Sequence, residues 1–86
     1  MMLKIRTTEN VTNTVVLNCT NYVFSDGMHL MFMCNKRQAS DILIKLAMNP
    51  IFSKIDDITV YKRLDTYFIE LIPTEPFKIS LSGVLE

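Results

Sequence analysis

Two cysteines (Cys19 and Cys34), one histidine (His29) with Ser25 and Asp26 nearby, and the carboxylates Asp41, Asp56 and Asp57 are the side chains whose types could do chemistry here. A structural zinc site needs four ligands, usually in short paired spacings. Two cysteines and one histidine without such a pair do not supply them. The three aspartates are too few to cage a hard cation and read as water-facing. Ser25, Asp26 and His29 crowd around an Asp-Gly dipeptide, which invites a hydroxyl-imidazole-carboxylate reading. A tight turn, however, offers neither a pocket nor an oxyanion donor. The only glycines, Gly27 and Gly83, cannot build a phosphate-cradling loop. These residues therefore predict no catalytic group, no metal and no cofactor, and the chain reads as a protein that is not an enzyme.

The thiols follow from the backbone that carries them. Asp26-Gly27 lies between two runs of strand-forming residues, and Asp-Gly suits the positive φ angles of a two-residue hairpin turn. That register pairs Ser25 with Met28, Val23 with Leu30, Asn21 with Phe32 and Cys19 with Cys34. Counted from the turn, the cysteines fall on a hydrogen-bonded pair, where Cα atoms stand about 5.5 Å apart and side chains diverge. Two buried, reduced thiols are expected rather than a bridge, since free cysteine behaves as a small hydrophobe. Asn10-Val11-Thr12 and Asn18-Cys19-Thr20 match the glycosylation pattern, but no export signal is evident and both read as chance. A cytoplasmic location is the expectation. No run approaches the roughly 18 apolar residues of a membrane span.

The elements that would position these residues are readable from periodicity. Leu3 and Ile5 alternate with Lys4 and Arg6, giving a first strand with one wet face. A second strand covers about residues 15–25, with room for a bulge, and a third covers 28–34. Residues 7–13 are polar and read as a turn. Asn35 is a good helix N-cap with Gln38 placed to complete a capping box. Ala39, Ile42, Leu43, Leu46 and Ala47 form one apolar stripe at helical spacing. Asn49-Pro50 ends the helix. Alternation at Ile58 and Val60, at Tyr67, Ile69 and Leu71, and at Phe77, Ile79 and Leu81 gives three more strands. A turn near residues 63–65 joins the first two of these, and Pro73-Thr74-Glu75-Pro76 joins the last two. Setting Leu71 against Phe77, Ile69 against Ile79 and Tyr67 against Leu81 keeps apolar residues opposed.

The expected architecture is a single α+β domain over residues 1–86. It has a mostly antiparallel sheet of about five to six strands with one helix packed on one face, in the order βββαβββ. One helix covers one face of a sheet. The other must face water, curve shut or meet another molecule. In the hairpin register above, Tyr22, Phe24, His29, Met31 and Met33 share that second face. Aromatic residues and methionine are enriched at interface cores, so these five are the candidate protein-contact residues.

Composition limits the partner. The formal net charge is zero and the apolar fraction is 49%, which argues against a general polyanion binder and leaves apolar surface to cover. Residues 36–63 carry six basic and three acidic side chains, and residues 64–86 carry one basic and four acidic. Lys36, Arg37, Lys62 and Arg63 form two basic pairs. With Tyr22, Tyr61, Tyr67 and Phe68 as sheet-surface aromatics that could stack on bases, they support an alternative, a single-stranded RNA or DNA binder. The leading expectation is a small regulator, inhibitor or assembly subunit. It would bind another protein, or itself as a homodimer, through an apolar sheet face or edge and without a membrane. A viral or mobile-element origin fits that description.

Overall fold

The computed structural model describes residues 1–7, 13–25 and 28–82. Seven strands and one helix follow in the order β1 (Met2–Thr7), β2 (Thr14–Asn18), β3 (Asn21–Ser25), β4 (Leu30–Cys34), α1 (Lys36–Met48), β5 (Ile55–Arg63), β6 (Thr66–Pro73) and β7 (Phe77–Ser82). A 3-10 turn, Pro50–Lys54, links α1 to β5. The fold is α+β with a single helix, and every strand pairing is antiparallel. The strands are divided between two sheets, of order β2-β1-β7 and β3-β4-β6-β5.

That division departs from the one expected sheet, and two chain crossings cause it. The predicted second strand is cut at Cys19 and Thr20. The Cys19 N–H donates to Met1 O in the small sheet, and the next residue, Thr20, donates its N–H to Met33 O in the large one (both 2.9 Å). The second crossing lies between β6 and β7. β6 already has β4 on one side and β5 on the other, so no edge remains for β7. β7 pairs with β1 instead, setting Ile79 against Ile5 and Phe77 against Thr7. The expected pairings of Leu71, Ile69 and Tyr67 with β7 therefore do not form. Apolar alternation fixes which face a strand buries, not which strand lies beside it.

The helix forms where its caps place it. The Gln38 N–H donates to Asn35 Oδ1 (2.8 Å) and the Asn35 N–H donates to Gln38 Oε1 (2.9 Å), a complete capping box. The Thr20 hydroxyl also donates to Gln38 Oε1, tying the first crossing to the helix start. Asn49 accepts the Ile51 N–H and so caps the 3-10 turn. Of the predicted stripe, Ala39, Ile42 and Leu46 are buried, Leu43 is half-buried and Ala47 is exposed. The three buried positions join one core with Leu3, Ile5, Val15 and Leu17 of the small sheet and Leu30, Phe32, Ile69 and Leu71 of the large one. Burying one such side chain contributes about 1.5–3 kcal/mol. Helix and small sheet thus both pack on the inner face of the four-stranded sheet.

Candidate interaction face on the four-stranded sheet

Residues opposite one another on antiparallel strands share a face, so the register defines the outer surface. One row runs Asn21, Met33, Phe68, Tyr61 across β3, β4, β6 and β5, and the next runs Met31, Glu70, Thr59 across β4, β6 and β5. The inner rows include Phe32, Ile69 and Val60, and Leu30, Leu71 and Ile58. Met31, Met33 and Phe68 are half-buried and Tyr61 is 43% exposed.

The hairpin that carries the first half of this face differs from its expected form. Asp26 and Gly27 lie outside the described residues. Ser25 pairs with Leu30, so the predicted pair of Ser25 with Met28 is not made. The register then slips by one between Tyr22 and Phe24, leaving Val23 as the extra residue of a bulge. A slip of one residue exchanges the faces beyond it. Tyr22 accordingly stands opposite Phe32 and packs against the core. It leaves the predicted contact set, whereas Met31 and Met33 keep their places and Phe24 pairs with Met31. Phe68 and Tyr61 belong to the face; the sequence reading placed them only among the aromatics of the nucleic-acid alternative, not in the protein-contact set. Their signal was the pattern on β5 and β6, where Tyr61 and Phe68 occupy the positions alternate to Val60 and Ile69.

His29 also belongs to this face. Its Nε2 lies 3.0 Å from Glu70 Oε2, and the Tyr61 hydroxyl donates to the same oxygen at 3.3 Å. One carboxylate thus gathers a phenol from β5 and an imidazole from the residue just before β4. Burial, then the charge and hydrogen bond of Glu70, push the Tyr61 phenol up. Its hydroxyl therefore keeps its proton and serves as a donor.

The thiols sit away from this face. Cys19 lies at the crossing between the sheets and Cys34 stands opposite Tyr67, so the predicted Cys19–Cys34 strand pair is replaced. Both cysteines are free and buried. Burial, with a smaller contribution from Cys19, pushes the Cys34 thiol up to about 11, which makes it a poor nucleophile. No group of three metal-ligating side chains occurs among the described residues.

The basic pairs fall at one end of the large sheet. Cys34, Tyr67 and Lys62 stand in one row and Arg63 pairs with Thr66 one step on, while Lys36 and Arg37 open α1 just past Cys34. The Lys62 ammonium lies 5.8 Å from the centre of the Tyr67 ring. Lys36, Arg37 and Arg63 are exposed. Among the described residues, no helix is long and apolar enough to cross a membrane.

No family model matches this chain, and no curated protein or solved structure matches it either.

Proposed function

We propose that this chain is a non-catalytic protein-interaction module, a small regulator, inhibitor or assembly subunit. Its docking surface is the outer face of the four-stranded sheet, occupied by a partner protein or by a second copy in a two-fold homodimer. The observation that carries this reading is the continuous row Met33, Phe68, Tyr61, left open while helix and small sheet crowd the other side. Adjacent apolar side chains left open in this way mark contact surfaces. The Tyr61, Glu70 and His29 cluster gives the same face polar donors and an acceptor to fix orientation, as interfaces combine an apolar centre with polar groups. β3 and β5 are the edges of this sheet, so a partner strand could also extend it.

The test is a paired binding experiment. Wild type and the Met31→Ser, Phe68→Ser double variant are compared by light scattering and by retention of partners from the native cell. The expected result is loss of the complex or dimer with folding intact. Equal mass and equal partner retention in both proteins would remove the reading.

A second reading, binding of single-stranded nucleic acid, draws support from Lys36, Arg37, Lys62 and Arg63 meeting at one end of a sheet that also carries Tyr61 and Phe68. Glu70 and Asp57 lie on that same outer face and oppose it. Anisotropy with mixed single-stranded RNA at low salt, repeated with all four basic residues changed to alanine, separates the two. Salt-sensitive binding that the substitutions abolish would favour nucleic acid.

A further inference from the structure

The outer face of the small sheet has a different character. By register it presents Lys4 and Arg6 from β1, Lys78 and Ser80 from β7, and Thr14 and Val16 from β2. Arg6 stands directly opposite Lys78, and Lys4 opposite Ser80. Lys4, Arg6, Lys78 and Ser80 are all exposed and, with Ile79, line a cleft of about 180 Å³.

Like charges directly opposite on neighbouring strands repel. Elsewhere an acid usually relieves such a pair. Here the register places no acidic side chain on the face, and none of the three cations makes an ion pair among the described residues. Within the described residues the Arg6–Lys78 pair is therefore un-neutralised and presents concentrated positive charge to the cleft.

We propose that this cleft is a binding site for the phosphate group of a small soluble ligand. Alternate residues along a strand lie about 6.8 Å apart, and opposed residues about 5 Å. Lys4, Arg6 and Lys78 thus bracket a space that one tetrahedral anion can bridge. Arg6 supplies the planar fork that meets two phosphate oxygens at once, the lysines supply point charge, and the Ser80 hydroxyl is a further donor. Size narrows the class. Pockets for whole drug-sized molecules run to roughly 300–1,000 Å³, so this cleft takes the anionic group and leaves the rest of the ligand outside. The described face has no aromatic side chain on which a base could stack, which disfavours single-stranded nucleic acid. The site is on a different sheet from the proposed docking face and does not depend on it.

The probe is inorganic pyrophosphate, titrated at low salt and followed by backbone amide NMR shifts and by thermal unfolding. Wild type should show shifts centred on residues 4–6 and 78–80 and a rise in Tm that fades with salt. Arg6→Ala and Lys78→Ala should each weaken binding at least tenfold. Each should also raise Tm without ligand, because the opposed charges are gone, so a failure to fold cannot mimic the result. Lys45→Ala, at an exposed position of α1, should bind as wild type does. Equal weakening by Lys45→Ala, or no binding at 10 mM pyrophosphate, would overturn the proposal. So would an RNA oligonucleotide that shifts residues 4–6 and 78–80 where pyrophosphate does not.

Discussion

Met33 on β4 and Phe68 on β6 stand directly opposite each other at the centre of the four-stranded sheet, on the face turned away from helix and core. β4 and β6 are the central strands of that sheet, so the pair is a half-buried apolar patch at the middle of its outer face.

Removing the patch should cost the fold little. Half-buried methionine and phenylalanine side chains contribute about 1 kcal/mol each, half the value for full burial. Met31→Ser with Phe68→Ser should therefore lower stability by about 2 kcal/mol in denaturant melts while the far-ultraviolet spectrum stays native. A loss above about 4 kcal/mol would show that these residues belong to the core.

Leu64 carries strain that can be released. It opens the two-residue turn between Arg63 and Thr66, has φ of 56° and is 89% exposed. The left-handed region costs a branched residue about 1–2 kcal/mol, and asparagine tolerates it far better. Leu64→Asn should raise stability by about 0.5–1 kcal/mol, which is about 2–8 °C in Tm for a domain of this size. Leu64→Val should lower it. An unchanged Tm in both variants would contradict the assigned turn.

The helix start gives a calibrated loss. Asn35→Ala removes the acceptor of the Gln38 N–H and should cost about 1 kcal/mol, within a usual range of about 0.5–2. Asn35→Asp should recover most of it. A neutral Asn35→Ala variant would place the helix start elsewhere.

Alkaline pH should destabilise the protein through its buried thiols. The Cys34 thiol is raised from 9.0 to about 11 in the fold, so the unfolded chain loses this proton first. Its contribution is fully present below pH 9 and is lost as pH rises from 9 to 11. The slope is about 1.4 kcal/mol per pH unit at most. Cys19 and Tyr61 are raised as well and act in the same direction. Cys34→Ser should flatten the decline measured by denaturant melts. A decline of equal slope in that variant would assign it to other groups.

The elements were legible in the sequence because each rests on local physics. Asn35 and Gln38 announce the helix start, Asn49-Pro50 its end, and alternation the strands on either side. Partner choice was not legible. The β7 alternation fits β6 and β1 equally well, and the choice is made by β4 and β5 already occupying both sides of β6. A bulge in this strand was allowed for, but no glycine or proline marks its place at Val23, and that single extra residue moved Tyr22 from the predicted contact face to pack against the core. Met31 and Met33 share the expected face because β4 keeps an unbroken alternation. Phe68 and Tyr61 required knowing which strands are neighbours.

Methionine oxidation reads the central claim most directly, because the chain carries its own control. Met48 at the end of α1 is 81% exposed and lies away from the large sheet's outer face, whereas Met31 and Met33 sit on it. Limited peroxide treatment, with peptide masses read at matched Met48 oxidation, compares the protein in its native cell extract with the dilute purified chain. The account predicts Met31 and Met33 protected in the extract and oxidised in the dilute chain. Equal oxidation of Met31 and Met33 in both samples would contradict it.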